Sequence, residues 1–506
     1  MTPGGKDAPT VDVPGMSVPH YASDGVATKH VFTAFMIQTQ VFFGVVEAGS
    51  SRGDPDPTGA PCRRCKRSVT FPKRSLVGMR PRSQGGRVVG SLLRLRPAGA
   101  AVLFLALVLG MVTQTSSAGA AGGLTASAPG VTPKTITVGV ITEESGSGAS
   151  GAYGIPAAFK ARVDLQNAEG GVDGRKIDVV VEDDQSQSSD NQTAAAAEVA
   201  KGVFAINDNS ASAYGAATYL QTQGIPVVGG GYDAFEWTTA SYTNMFSTAY
   251  GVFSGSTQPR YVVDPTPLKK AHATNFAVLG YSISPSSSGA AANEAVSLKQ
   301  AGFKVGYLDT SLPFGTVNVT ATALQMKAAG VDSMVAEIDG NTELALITAG
   351  EQAGIKWKYV VLATGYGSQW LTNPTAVADS QKLYFGVLQT PVELHTPATI
   401  QEQAAFKKYA GFTGVPDFGW TEGWESAGLM IEGLQVAGKN PTRQSFITNL
   451  RKVTSWNDNG LLSVPINFEH TTTPGKKLCS WTTQLIGHNF VPTSTTPVCT
   501  NLVPGT

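Results

Sequence analysis

Short runs of β-branched residues alternate with amphipathic stretches along most of the chain, and the first complete unit lies between Pro133 and Asp184. Residues 136–141 are rich in Ile and Val over a length that suits a buried strand of a parallel sheet and is too short for a helix. Apolar residues over 155–168 recur at three- and four-residue spacings, which predicts a helix ended by Gly170-Gly171. The segment therefore predicts a β-loop-α-β unit.

The loop inside this unit is the first candidate site. It runs from Glu143 to Tyr153 and leaves the carboxyl end of a predicted parallel strand, where open α/β sheets bind their ligands. A second predicted strand, residues 177–181, leads into acidic residues.

The same alternation continues and predicts two doubly wound α/β halves followed by a helical segment. The predicted strands are residues 203–206, 224–228, 275–282, 302–306, 331–338, 359–362 and 383–388. The predicted helices are residues 190–202, 211–223, 288–301, 316–329, 341–354, 399–411, 421–437 and 442–452.

Length and charge add two constraints. At 506 residues the chain exceeds what one core usually organises, so at least two domains are expected. Residues 1–120 contain 14 Lys and Arg against 6 Asp and Glu, which leaves 23 basic and 31 acidic residues in the remainder. Because this larger part is mildly acidic and has no basic run, nucleic acid is not an expected partner.

The strongly apolar segment Ala98–Val112 has the flanks of a signal peptide. It is short for a membrane span, arginines precede it, and Ala118-Gly119-Ala120 provides a cleavage motif. Residues 79–120 are therefore predicted to be a signal peptide of the general secretory pathway, with an N-terminal anchor helix as the alternative. No Cys follows the apolar run closely, so we expect no lipidation.

The segment before this signal, residues 1–78, shows no sustained periodicity and is interpreted as disordered or as a misassigned upstream start. Its Cys62 and Cys65 have the spacing of half a zinc knuckle without a second pair nearby, so chance is the competing explanation. Beyond the signal, the sequence contains two cysteines, Cys479 and Cys499. In an exported chain such a pair predicts a disulfide.

Several segments resemble the type I extracellular solute-binding proteins of ABC importers, the leucine/isoleucine/valine-binding family. The matching motifs are the strand ITVGVIT, the helix end LQNAEGGVDGRKI, the acidic strand end VVVEDDQS and the segment INDNSASAYGAATYLQTQGIPVV. The resemblance covers about residues 133–492. It implies two α/β lobes joined by a three-segment hinge, in a type I periplasmic binding protein fold.

The resemblance also implies domain limits. Residues 133–255 and 389–455 are expected to form the first ligand-binding lobe, and residues 270–385 and 460–500 the second. Segments LLSVPINFEH and WTTQLIGHNFVPTS resemble the closing hairpin of the second lobe.

A ligand site in the cleft between the lobes follows from the same resemblance, built from hydroxyls, backbone N–H groups and aromatic rings. Several candidates have a structural alternative, since Ser210 and Ser212 also suit helix caps, Tyr153 a solvent-exposed loop, and Trp420 or the neighbouring Phe418 helix packing. The full set of predicted ligand-binding residues is Tyr153, Ser210, Ser212, Gly231, Tyr232, Asp233, Asp339, Asn341, Tyr366 and Trp420.

One expected residue is missing. The family's acid for an amino-acid ammonium should follow Leu362, where this chain has Ala-Thr-Gly-Tyr-Gly. A buried ammonium without a counter-charge costs several kcal/mol. Unless Asp233 or Asp339 substitutes, the ligand is therefore expected to differ from a plain branched-chain amino acid, and a ligand without an ammonium is favoured.

Two other chemistries have partial signals in the sequence. Gly146-Ser-Gly148-Ala-Ser-Gly151 fits a dinucleotide fingerprint, but residues 142–145 separate it from the strand. The histidines are scattered, and the pairs Glu143-Glu144 and Asp183-Asp184 suit loop caps or solvent as well as a ligand. We therefore expect a binding protein and not an enzyme, without cofactor or metal.

The expected function is capture of a small amino-acid-like, amide or carboxylate metabolite by a monomeric exported receptor, which delivers it to an ABC permease. The alternatives are a ligand sensor without a transport role and a nucleotide-cofactor enzyme.

Overall fold

The computed structural model of this protein describes residues 123–231, 234–249, 260–282, 284–314, 317–470 and 475–504. The predicted upstream segment and signal peptide lie outside these residues. So do Tyr232 and Asp233.

The first sheet is parallel throughout, with strand order β2-β1-β3-β4-β5. The hydrophobic run at residues 136–141 forms an interior strand of this sheet, because Ile136, Val138 and Val140 face one buried layer and Ile141 faces the other. The strands are β1 Thr135–Thr142, β2 Lys176–Asp183, β3 Ile206–Asn209, β4 Val227–Gly229 and β5 Met245–Ser247.

The second sheet has eight strands within the described residues, in the order β12-β11-β10-β9-β8-β6-β7, with β13 paired to β11. Strands β6 to β10 are parallel, and β11 runs antiparallel to β10, β12 and β13. Its strands are β6 Asn275–Tyr281, β7 Lys304–Leu312, β8 Ser333–Glu337, β9 Tyr359–Leu362, β10 Tyr384–Val387, β11 Lys477–Ile486, β12 Asn489–Pro492 and β13 Val498–Asn501.

Helices cover both sheets, as the alternation predicts. The helices are α1 Ile155–Ala168, α2 Ser188–Lys201, α3 Tyr214–Thr222, α4 Pro265–Lys270, α5 Pro285–Gln300, α6 Val319–Ala328, α7 Gly340–Gln352, α8 Ser368–Thr372, α9 Pro374–Asp379, α10 Pro397–Ala405, α11 Phe418–Ala437 and α12 Arg443–Leu450. A π-helical turn, Phe406–Ala410, continues α10. Helices α1, α11 and α12 pack on one face of the first sheet, while α2 and α3 pack on the other.

The chain passes between the two sheets three times, after β5, after β10 and before β11. This is the predicted two-lobed arrangement with a three-segment hinge. One detail of the prediction is wrong, since residues 461–470 do not form the first arm of the closing hairpin. Ile466 and Phe468 lie in the core of the first lobe, and the hairpin consists of β11 and β12.

A second correction concerns β3, which was expected at residues 203–206 and lies at Ile206–Asn209. Its polar end is buried, and Asp208 and Asn209 have hydrogen-bond partners there, whereas both polar side-chain atoms of Asn207 have none among the described residues. Asn191 donates to Asp208 over 3.1 Å, and Asn209 donates to Ser426 over 2.8 Å. Polar side chains that have hydrogen-bond partners can therefore lie in a central strand. A prediction from the hydrophobic pattern alone does not detect such residues as part of a strand.

Cys479 and Cys499 form a disulfide between β11 and β13. Beyond the disulfide, Val262 donates its N–H to the carbonyl of Asn501, and Val503 donates to Arg260. The cross-linked strand thereby holds the chain segment that enters the second lobe.

Replacing both cysteines by serine should loosen β13 without unfolding the protein. The cross-link closes a loop of 20 residues, which contributes about 3 kcal/mol at most through loop entropy. Hydrogen exchange should show faster amide exchange at residues 498–501 and unchanged exchange in β1. Unchanged protection of β13 in the double variant would contradict this expectation.

Candidate ligand-binding site

A cavity of about 630 Å³ lies where the carboxyl ends of strands from both lobes meet. From the first lobe it is lined by Glu143 after β1, Asn209 at the end of β3 and Thr248 after β5. From the second lobe it is lined by Tyr281 at the end of β6 and Ala363 after β9. The cavity therefore occupies the position at which α/β sheets bind ligands.

Close packing of α11 on α1 sets the first-lobe wall. A Cβ atom at Gly419 would lie 2.3 Å from the carbonyl oxygen of Tyr153, and one at Gly423 would lie 2.4 Å from that of Ile155. Only glycine permits this approach. It brings the loop before α1 onto the same surface as Glu422 and Glu425 of α11, which also line the cavity.

Two of the predicted first-lobe residues line the cavity, namely Ser210 and Gly231. The Ser210 hydroxyl accepts the N–H of Ser212 over 2.9 Å and hydrogen-bonds to the Asp184 carboxylate. It is thus a loop-capping group that also borders the cavity. Ser212 is buried behind it and does not reach the cavity.

Two of the predicted aromatic residues of this lobe, Tyr153 and Trp420, are not among the lining residues. Tyr153 is 55% exposed and does not line the cavity, whereas its neighbours Ala152 and Ile155 do. Trp420 is buried between helices and stacks on Phe412 at 4.1 Å between ring centroids. Helix packing therefore accounts for Trp420, and the nearby Phe418 lines the cavity instead.

Asp339 lines the cavity, but its carboxylate serves as the N-cap of α7. Oδ1 accepts the N–H groups of Asn341 and Thr342 over 3.0 and 3.1 Å. Oδ2 accepts the hydroxyls of Tyr281 and Thr342. Because four donors of its own lobe already occupy both oxygens, Asp339 is poorly placed to substitute for the missing acid.

The remaining predicted residues of the second lobe also border the cavity. Asn341 lies at the first turn of α7, with its side chain exposed. Tyr366 is buried, donates its hydroxyl to Glu393 over 2.7 Å and accepts the N–H of Val392 over 3.1 Å. Since Val392 and Glu393 belong to the second hinge crossing, Tyr366 links the site to the hinge.

Two further contacts join the lobes beside the cavity. Gln389, at the second crossing, donates to the hydroxyl of Thr421 on α11 over 2.7 Å. Asp417, before α11, accepts the N–H of Gln369 on α8 over 3.1 Å, and burial raises the pKa of its carboxyl to about 6. Thr421, Gln369, Gln389 and Asp417 all line the cavity.

The site is acidic. Among the described residues, none that lines the cavity is Lys, Arg or His. The lining carboxyl groups are those of Glu143, Glu294, Glu337, Asp339, Asp417, Glu422 and Glu425. Glu294, Glu337, Gln389, Glu422 and Glu425 were missed by the sequence reasoning, although Thr421 and Glu425 have the four-residue spacing that places both on one face of a helix.

A model of the periplasmic binding protein family matches residues 135–485 of this sequence. The chain belongs to the periplasmic binding protein family. This finding confirms the resemblance noted from the sequence, and the family comprises binding proteins. No curated protein sequence matches the chain.

Solved structures of the family share the two-lobed fold at low identity. A fatty acid ABC transporter substrate-binding protein from Thermomonospora curvata has a TM-score of 0.61 and 19% identity, over 74% of this chain and 95% of its own. The branched-chain amino acid transporter protein LivJ from Streptococcus pneumoniae, solved with isoleucine, has a TM-score of 0.56 and 18% identity, over 73% and 99%. A solute binding protein from R. palustris, solved with benzoate, has a TM-score of 0.58 and 15% identity, over 73% and 97%.

Two further findings concern the described residues as a whole. None of their helices combines the length and the apolar composition needed to cross a bilayer. Their His, Cys, Asp and Glu side chains form no group of three or more that could hold a metal ion.

Behind the first-lobe wall, this family member buries further carboxyl groups. Glu402 on α10 is fully buried, and neither of its oxygens has a hydrogen-bond partner among the described residues. Burial and the nearby Asp458 raise the pKa of Glu402 to about 8. Burial also raises the pKa of Asp458 to about 7, although Arg162 opposes this shift.

Glu402→Gln should make stability less dependent on pH. Since the pKa of Glu402 is about 8 in the folded chain and near its ordinary value when unfolded, the native state retains a proton that unfolding releases. Wild-type stability should therefore fall as pH rises from about 4.5 to about 8, by up to about 1.4 kcal/mol per pH unit from this group. The variant should lack that contribution in urea denaturation at pH 5, 7 and 9.

Glu469→Gln is the matched control, because Glu469 is exposed. It should follow the wild-type pH dependence. If Glu402→Gln did so too, Glu402 would already be ionised in the folded protein.

Proposed function

We propose that this protein is an exported receptor that closes on one small polar or amphipathic metabolite and delivers it to an ABC import permease. The observation that carries the proposal is the cavity of about 630 Å³ between two lobes connected by three chain crossings. Such a hinge allows closure around a ligand. Family membership supports the same function.

The lining supports a ligand that donates hydrogen bonds. Seven carboxyl groups and no basic side chain line the described part of the cavity, so an anion would meet repulsion wherever these carboxyls are ionised. The first-lobe loop offers the hydroxyls of Ser147 and Ser150 to an acceptor-rich end of the ligand. A ligand with a hydrogen-bond-donating end and an acceptor-rich end, such as an amino acid, therefore fits the cavity better than a fatty acid or benzoate does.

This interpretation revises the ligand chemistry favoured from the sequence. The missing acid after Leu362 argued against an ammonium, whereas carboxyl groups from other elements line the same cavity. An amine-bearing metabolite is therefore the better hypothesis. Export through a signal peptide at residues 79–120, action as a monomer and delivery to a permease remain parts of the proposal.

A thermal-shift screen of amino acids, amides, amines and carboxylic acids tests the receptor function. A ligand at a hundred times its dissociation constant should stabilise the folded protein by about 2.7 kcal/mol. Calorimetry then gives the affinity. A broad library without a single stabilising compound would count against the proposal.

Ser210→Ala should weaken binding of any ligand found in this screen by about five- to tenfold. The substitution removes a hydroxyl at the cavity edge that also orders the loop, and one hydrogen bond is worth about 1 kcal/mol. Ser212→Ala is the matched control, because Ser212 lies two residues further and does not line the cavity. Equal affinities of both variants and the wild type would place the ligand away from this loop.

A further inference from the structure

The cavity extends from the cleft along one flank of α5. Ala290, Asn293, Glu294 and Ser297 line it, at the spacings that place them on one stripe of a helix. The neighbouring stripe, with Ala291, Ala295 and Leu298, packs on the second sheet. One flank of this helix therefore faces the cavity, while the neighbouring stripe packs on the sheet.

The opposite wall of this extension is the second sheet itself. Val335 and Glu337 of β8, Val361 of β9 and Gly386 of β10 all line the cavity. At Gly386 an added Cβ would meet nothing closer than 3.8 Å, so the space above β10 is open. We call the space between this wall and α5 the α5 chamber.

Two carboxyl groups lie close enough to interact at the α5 chamber. Glu294 comes from α5 and Glu337 from the end of β8, both residues line the cavity, and the charge of Glu337 acts on Glu294. Neither has a hydrogen-bond or ion-pair partner among the described residues. Their position is fixed by Ser287, which accepts the N–H of Tyr281 over 2.8 Å and donates to the carbonyl of Glu337.

Gln389, which also lines the cavity, has a second and independent acceptor atom without a hydrogen-bond donor. Gln389 is only 2% exposed, and its Oε1 atom has no hydrogen-bond partner among the described residues, while its amide nitrogen is bound to Thr421. A buried acceptor left without a donor is unfavourable, because it has lost its hydrogen bonds to water without replacing them. Like the two carboxyls, it calls for a ligand that donates hydrogen bonds.

We propose that the α5 chamber binds the ammonium end of an elongated amine, held between Glu294 and Glu337, while the opposite end of the ligand lies against the first-lobe loops. This inference rests on the proposed receptor function and adds the chemical class of the ligand. It also explains how the site dispenses with the acid expected after Leu362, because the counter-charge comes from α5 and β8 instead.

The titratable groups around Glu294 and Glu337 predict that ligand binding is accompanied by release of protons. Glu294 faces Glu337 from β8 and Tyr359 from β9, and Tyr359 in turn faces Tyr384 of β10 and Asp264 before α4. Burial, followed by the charge of Glu337, raises the pKa of Glu294 to about 7, and burial raises the pKa of Glu337. An ammonium entering at pH 7 should therefore displace a fraction of a proton into the solvent.

The probes are ω-amino acids of three to eight carbons, each compared with the ω-hydroxy acid of the same length. We expect at least one ω-amino acid to bind the full-length protein ten or more times more tightly than its hydroxy counterpart. Calorimetry in two buffers of different ionisation enthalpy should show proton release at pH 7. Binding of the amino acid should strengthen between pH 6 and 8.

Glu294→Gln and Glu337→Gln should each weaken binding of that ω-amino acid at least tenfold and change binding of the hydroxy acid less than twofold. Proton release should disappear in both variants. Glu144→Gln is the control, since Glu144 is exposed beside the cleft and does not line the cavity. Its affinity for the same probe should equal that of the wild type.

Two results would overturn the inference while leaving the receptor function intact. One is a series in which no ω-amino acid binds better than its hydroxy acid, while another compound of the wider library does bind. The other is amine binding that both glutamine variants retain. Failure of the whole library would instead count against the receptor function itself.

Discussion

The contact between α1 and α11 is the constraint on which the site depends. Gly419 and Gly423 allow the backbone of α11 to approach the carbonyl oxygens of Tyr153 and Ile155, and a methyl group at either position would separate the helices. Through this contact, the loop after β1 and the carboxylates of α11 share one wall. The same helix carries Thr421, which bonds to Gln389 at the hinge. The shape of the first-lobe wall and the geometry of the hinge therefore both depend on the packing of α11 against α1.

The sequence predicted the fold well because hydrophobic periodicity is a local property. Helix α1 and strand β9 lie at the predicted residues, and most other elements differ by a few positions. One error occurs where polar residues are buried with hydrogen-bond partners, as at Asp208 in β3. Another occurs where an apolar segment packs on the other lobe than expected, as Phe468 does in the core of the first lobe. Those partners are remote in sequence, and no pattern along the chain reveals them.

The site was less predictable for the same reason. Ser210, Gly231, Asp339, Asn341 and Tyr366 do line the cavity, because strand ends are visible in the pattern. Whether a lining side chain is available to a ligand depends on the residues that surround it in the folded protein. Asp339 is occupied by four donors of its own lobe, whereas Glu294 and Glu337 meet only when α5 folds over β8. Counting acids near one strand therefore missed the carboxyl groups that other elements bring to the cavity.

The disulfide affects the position of residues beyond the two strands that it joins. Strand β13 continues into residues that pair with the segment around Tyr261, and Tyr261 lines the cavity and accepts a hydrogen bond from Ser297 of α5 over 2.8 Å. Covalent attachment of Cys499 to β11 thus anchors one side wall of the α5 chamber. In a reducing compartment that wall would keep its hydrogen bonds but lose its covalent link to β11, so the shape of the ligand space is coupled to the oxidation state of the protein's surroundings.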